Sequence, residues 1–319
     1  VPIIPQDRLD HTLADRPLEL NAATLSGLSQ SKDPGQTVLY LAYGSNLCYE
    51  TFQGKRGIRP VAQVNVLVPE LRLTFDLPGV PYLEPCFANS GPRDPSNPSQ
   101  TDPAPALSET SPLIRDAPDY HKDRWKKGMV GVVYEVTLPD YAHIIATEGG
   151  GTAYQDVLVT CYPLTETDTV PEHPNTPPFK AHTLFAPAVA PSKPGDPPRK
   201  DGGRFQRPDT SYAQASARYM KLLTDGAEEH GLPQDYKNYL YDIRPYTITT
   251  RRQGFGKIVF TALWLPLFIM LLSLQGGFAN DKGRSPKWLS LLSDFISRSV
   301  WLSYDGFFKK VFGDGERTL

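Results

Sequence analysis

The sequence predicts an α+β fold: a small mixed β-barrel flanked by helices, with a hydrophobic helix near the C-terminal end. Three observations carry this expectation. Strand-like segments crowd residues 37 to 162, helical spacing interrupts them without a regular strand–helix alternation, and a 17-residue run without charge covers Ile258 to Leu274.

Residues 1 to 36 read as an N-terminal extension, 37 to 250 as the main domain, and 251 to 319 as a hydrophobic and amphipathic tail. Within the domain, TVLYLAY (37 to 43), VAQVNVLVP (61 to 69), LRLTFDL (71 to 77), MVGVVYEVT (129 to 137) and YQDVLVTCY (154 to 162) have alternating or fully apolar strand character. Helices are expected over Leu138 to Thr147, opened by Pro139-Asp140, over Tyr212 to Leu223, and over Gln234 to Tyr241 after a Gly-Leu-Pro turn. The chain holds 32 prolines, and they cluster in 89 to 120 and 186 to 210. These stretches are too polar to build a core face, so 89 to 120 and 163 to 210 read as surface insertions, with a short strand at His182 to Phe185 inside the second.

The tail differs in kind. At 1.5 Å per residue the uncharged run reaches about 25 Å, the lower limit for crossing a bilayer core. Basic residues flank it on both sides (Arg251, Arg252 and Lys257; Lys282, Arg284 and Lys287), so charge assigns no orientation. Residues 288 to 302 then repeat apolar side chains at helical spacing, as an interfacial helix would. Membrane association through 258 to 274 is the expectation, with buried helices of a soluble protein as the alternative.

Composition excludes several classes. A net charge of −2 and a pI near 6.3 provide no basic field for nucleic acid. Cys48, Cys86 and Cys161 form no Cys-x-x-Cys pair, which suits a reducing, cytoplasmic setting and three buried small side chains. The six histidines are scattered, so no metal site is expected. The chain opens at Val1 without a basic-then-apolar leader.

Two stretches could carry chemistry. Tyr43-Gly44-Ser45-Asn46 breaks the first apolar strand, and a glycine-containing turn at a strand end can aim several backbone N–H groups at one anion. Taken alone, it equally fits an ordinary turn. Glu148 stands between an apolar helix and glycines 149 to 151, which let the chain turn sharply beside a ligand. A half-buried carboxylate there is a candidate proton acceptor, an exposed helix-terminal Glu the alternative, and Tyr154 is placed to bring its hydroxyl to the same pocket. Residues 216 to 240, with His230 at their turn, read as a packing helix hairpin.

In order and separation, these blocks resemble the gamma-glutamylcyclotransferase family. The resemblance rests on Tyr43-Gly44-Ser45-Asn46-Leu47 after the first strand, Glu148-Gly149 ahead of a Tyr154-led strand, and GAEEHGLPQDY at 226 to 236. It covers roughly residues 37 to 246 without the insertions; the tail lies outside it. It implies ring closure of a gamma-glutamyl compound to 5-oxoproline with release of the amine, without a cofactor. Glu148 is then the general acid/base, and Tyr43, Gly44, Ser45, Asn46, Leu47 and Tyr154 bind substrate. Two further readings stay open: a membrane-tethered scaffold that keeps the fold without turnover, and a cyclotransferase that trims a gamma-glutamyl group from a biosynthetic intermediate.

Overall fold

The computed structural model describes residues 1–96 except 21, 32 and 34, then 122, 124–147, 155–165, 168–185, 207–209, 211–278 and 287–318. Five strands close into a barrel: β1 (Thr37–Ala42), β2 (Ala62–Val68), β5 (Met129–Thr137), β6 (Gln155–Pro163) and β7 (Phe179–Phe185). Their spatial order is β1-β5-β2-β6-β7, and β7 closes the ring by running parallel to β1 with His182 opposite Tyr40. The remaining pairs are antiparallel. β5 is buried along almost its whole length because it lies between β1 and β2, which explains why it is apolar but for Glu135 near its end.

β3 (Leu71–Val80) and β4 (Glu84–Pro92) form a separate hairpin. β4 corrects the sequence expectation, because Asn89–Pro92, read as the start of an insertion, is strand with Asn89 and Ser90 buried. β7 likewise begins at Phe179, earlier than His182, directly after two prolines that read as loop.

Helices α1 (Gln6–His11) and α2 (Ala22–Gln30) occupy the N-terminal extension, where Ile4, Leu9, Leu25 and Leu28 join the main core. Arg8 also reaches the barrel, where its guanidinium bonds to Glu135 at 3.0 Å. α3 (Leu138–Thr147) matches its expected span. α4 runs Ala217–Glu229 and not from Tyr212, because the Ser216 hydroxyl caps it by accepting the Tyr219 N–H at 3.0 Å. α5 follows at Gln234–Asp242.

The tail folds as α6 (Arg251–Phe278), α7 (Lys287–Ser303) and a last turn α8 (Lys309–Phe312). α6 and α7 pack on each other around Phe260, Leu271, Leu289, Ile296 and Val300, in a second core that includes Tyr82 from the β3–β4 turn. All three cysteines are buried, and burial pushes the Cys86 thiol up to about 12.

Candidate functional site

β1 is nearly fully buried from Leu39 to Ala42, and the chain leaves the barrel at Tyr43. Ser45–Leu47 then makes one 3-10 turn, closed by Leu47 N–H to the Gly44 carbonyl at 3.0 Å and Cys48 N–H to that of Ser45 at 3.3 Å. The first N–H groups of any helical turn have no partner inside it. Among the described residues, no acceptor takes the N–H of Gly44 or Ser45. The turn therefore offers donors, as an anion cradle requires.

These donors border a cavity. Tyr43, Gly44, Ser45 and Asn46 line it with Tyr40, Leu77, Ala88, Thr183, Leu184 and Tyr219, around a volume of about 60 Å³. A larger hollow of about 440 Å³ adjoins it, sharing Ser45, Leu77, Ala88 and Tyr219 and adding Thr51, Lys55, Pro78, Phe87, Arg218 and Leu222. Tyr219 belongs to both; its hydroxyl accepts the Ala88 N–H at 3.2 Å, and its ring meets Phe87 edge-on at 5.1 Å. The two cations on the outer hollow have acidic neighbours, with Lys55 at 2.7 Å from Glu50 and Arg218 at 2.5 Å from Glu84.

A polar belt across the barrel holds the turn in place. Gln63, Tyr134, Tyr40 and His182 are register partners on β2, β5, β1 and β7, so they share one face of the sheet. The Tyr40 hydroxyl accepts from Asn46 Nδ2 at 2.9 Å. His230, at the end of α4, shares its Nε2–H between the Leu47 carbonyl at 2.9 Å and the Tyr134 oxygen at 2.7 Å. Its Nδ1 accepts from Gln63 Nε2 at 3.2 Å, which fixes the neutral tautomer. Burial lowers the His230 pKa and raises that of Tyr134, so both stay uncharged.

Gly226 explains how α4 comes so close. A Cβ there would stand 2.5 Å from Leu47 Cβ, 2.6 Å from its carbonyl carbon and 2.7 Å from Cys48 N, so only glycine lets the helix rest on the turn. The 226 to 236 block is thus more than a helix hairpin: through Gly226 and His230 it supports the turn at residues 45 to 47. A mid-helix glycine was the available signal, but its partner 179 residues earlier in the chain was not.

Glu148 and Tyr154 lie outside the described residues. The elements on either side of them are described. Tyr141 of α3 donates its hydroxyl to the fully buried carboxylate of Asp156 on β6, which also accepts from His182 Nδ1 at 2.9 Å and from the Leu18 N–H. Asp156 is paired with Leu184, itself on the cavity wall. Sequence reading missed the Asp156–His182–Tyr141 group, since three residues on separate elements leave no local pattern. Among the described residues, no three His, Cys, Asp or Glu side chains converge to hold a metal.

Known proteins resemble this chain over most of its length. The chain is 28% identical over 291 residues to gamma-glutamyl cyclotransferase gliK of Aspergillus fumigatus, covering 91% of this chain and 93% of that protein. Over about nine-tenths of its length the chain is similar to proteins named gamma-glutamyl cyclotransferase. Gamma-glutamyl cyclotransferase aclK of Aspergillus oryzae is 27% identical over 89% of this chain and 92% of its own length. The gliK protein of Claviceps purpurea is 25% identical over 83% and 97% respectively. The family model described as the AclK C-terminal domain matches residues 250–311, which hold α6, α7 and most of α8. The hydrophobic tail is therefore similar to a named domain.

Proposed function

We propose that the protein cyclises a gamma-glutamyl amine to 5-oxoproline and releases the amine partner. The observation that carries this reading is the Gly44–Asn46 turn, whose residues line a cavity sized for a few heavy atoms, beside a larger hollow. The substrate α-carboxylate sits at the turn, the glutamyl chain fills the narrow cavity, and the amine partner occupies the hollow.

The substrate carries its own nucleophile. Its α-ammonium gives a proton to Glu148, the freed amine forms a bond to the γ-carbonyl carbon, and the bond from that carbon to the partner nitrogen breaks. The proton on Glu148 passes to the departing nitrogen, and the second proton that the attacking nitrogen sheds on becoming the ring amide follows through the same carboxylate. The partner leaves as its ammonium, so the acid ends as it began and no water is consumed. Orientation supplies much of the rate, since oriented intramolecular reactions reach effective molarities of about 10⁵ to 10⁸ M. Support for the role of Glu148 is its family motif and the fixed ends of its segment, where Tyr141 and Asp156 join α3 to β6.

The size of the outer hollow, about 440 Å³ with Phe87, Pro78 and Leu222 on its wall, favours a partner larger and more apolar than one small amino acid, as in trimming a biosynthetic intermediate. Steady-state kinetics with gamma-glutamyl-alanine, gamma-glutamyl-lysine, glutathione and gamma-glutamyl-phenylalanine test both points. The expected result is 5-oxoproline from the panel with kcat/KM highest for the aromatic partner. No 5-oxoproline from any of them would leave the scaffold reading standing.

A further inference from the structure

The larger hollow is walled in part by an element that the barrel does not hold. β3 and β4 form a two-stranded sheet of their own, apart from the closed ring. A lone hairpin of this kind is marginally stable in water. Yet Leu77, Pro78, Phe87 and Ala88 of this hairpin line the hollow together with Tyr219 and Leu222 of α4. At the root of the hairpin, Arg93 donates its N–H to the Glu70 carbonyl at 2.8 Å and its Nη1 to the Pro69 carbonyl at 2.8 Å. Its tip is held by the tail.

Tyr82, in the turn between β3 and β4, has a φ of +63°, a left-handed conformation that bulky residues rarely adopt. A residue keeps such a conformation where its surroundings over-determine it. Tyr82 is 1% exposed and is held through backbone, hydroxyl and ring. Its N–H donates to the Gly315 carbonyl at 2.8 Å and its hydroxyl to the Gly313 carbonyl at 2.7 Å. Its ring meets Phe260 of α6 and Tyr304 edge-on at 5.8 and 5.7 Å. Gly315 leaves room for that ring, since a Cβ there would stand 2.9 Å from Tyr82 Cγ and 3.0 Å from Tyr304 Cε2.

The same segment reaches the second wall. Gln214, just ahead of the Ser216 cap of α4, donates its N–H to the Glu316 carbonyl at 2.8 Å, and Thr318 N–H donates to Gln214 Oε1 at 2.6 Å. Residues 313–318 keep their own shape because the Asp314 carboxylate accepts the N–H groups of Glu316 at 2.8 Å and Arg317 at 3.1 Å, while Arg207 clasps Asp305 and Glu316 at 2.7 and 2.9 Å. The two walls are then stapled to each other. Glu84, close behind Tyr82 in the chain, accepts the Ser216 hydroxyl and Arg218 Nε, each at 2.5 Å, and the Ala88 N–H donates to the Tyr219 hydroxyl at 3.2 Å. Among the described residues α6 is the helix long and apolar enough to cross a membrane, but the tail's grip on both walls runs through residues 313–318.

We propose that residues 313–318 act as a strap that sets the width of the larger hollow, with Tyr82, Gln214 and Gly315 as positioning residues that line neither cavity. The inference rests on the reading that this hollow receives the amine partner, and it makes the tail a determinant of which partner is accepted. A shift of the hairpin tip moves Pro78 and Phe87, which meet the side chain of a large partner. The Gly44–Asn46 turn, on which α4 rests through Gly226, stays in place. Loosening the strap therefore weakens binding of a large apolar partner and spares a small one.

Gly315→Ala in the full chain, assayed by 5-oxoproline release from gamma-glutamyl-phenylalanine and gamma-glutamyl-alanine, tests the inference. The added Cβ pushes the Tyr82 ring from its seat. For the phenylalanine substrate kcat/KM should fall at least about tenfold, carried by KM, while for the alanine substrate it changes less than about threefold. A loss of stability alone lowers the active fraction, and so reduces kcat for both substrates alike. Tyr82→Phe keeps the ring and the backbone bond and should retain the parent's preference. In hydrogen–deuterium exchange, Gly315→Ala should lose protection over residues 71–92 and keep it in β1 and β5. Should Gly315→Ala fail to fold, Tyr82→Gly, which relieves the backbone and removes the ring, takes its place in both measurements. Equal losses for the two substrates overturn the proposal, as does hairpin protection identical to the parent's. A parent that releases no 5-oxoproline from either substrate defeats the cyclisation reading instead, and the exchange measurement then decides the strap by itself.

Discussion

Replacing Gly226 by alanine should loosen the substrate turn without touching the reacting groups. The added Cβ meets Leu47 Cβ at 2.5 Å, the Leu47 carbonyl carbon at 2.6 Å and Cys48 N at 2.7 Å, and two of these three atoms are backbone. Ordinary contact needs roughly a further ångström, so α4 or the 45–48 segment must shift by about that much. Overpacking of this kind costs about 1 to 3 kcal/mol, offset by about 0.5 to 1 kcal/mol from alanine in a helix interior. The net expectation is a loss of about 1 to 2 kcal/mol in urea unfolding. Because the displaced backbone is the proposed carboxylate cradle, KM for a gamma-glutamyl dipeptide should rise more than kcat falls. Gly27→Ala is the control: it lies in α2 with nothing within 4 Å of the built Cβ, and should be neutral or slightly stabilising. A Gly226→Ala protein as stable and as tight-binding as the parent would refute the reasoning that α4 seats the turn.

Other perturbations separate binding, chemistry and support. Glu148→Gln should keep the urea midpoint and KM while kcat falls about 10² to 10⁴-fold, read by 5-oxoproline release. Ser45→Ala should raise KM with little change in kcat. Tyr141→Phe leaves the buried Asp156 carboxylate short of one donor and should cost about 1 to 3 kcal/mol in urea unfolding. Burial holds the His230 pKa below its ordinary value near 6.5, so the unfolded chain binds the proton more readily. The stability from neutral His230 is complete above about pH 6.5 and is lost as pH falls from there through the lowered pKa. Unfolding free energies of parent and His230→Gln across pH 5 to 7.5 should converge on the acid side (roughly the histidine range); a constant gap between the two curves contradicts this.

How much the sequence discloses varies with how local the cause is. β1, β2 and β5 are legible to within a residue because their patterns are continuous and the chain enters and leaves them through turns. β4 is not, since its last residues, Asn89-Ser90-Gly91-Pro92, have turn composition and owe their strand state to pairing with Leu71–Thr74. Ser216 falls inside the helical spacing of 212 to 223, yet it caps α4 instead of continuing it. At the site, the 43 to 47 turn is visible as a break in an apolar run, but its supports are not. Tyr40, Tyr134, Gln63 and His182 come together only through the non-sequential strand order, and His230 reaches Leu47 across 183 residues. The buried and exposed faces of α7 are readable as period, whereas the return of Glu316 and Thr318 to Gln214 depends on packing alone.

The account turns on intramolecular attack. Purified protein incubated with gamma-glutamyl-phenylalanine in ¹⁸O-labelled water, with products identified by mass spectrometry, tests it most directly. Unlabelled 5-oxoproline and phenylalanine in equal amounts are predicted, because the ring nitrogen and not water displaces the amine. Glutamate bearing ¹⁸O in its side-chain carboxylate would contradict it, since water would then be the nucleophile.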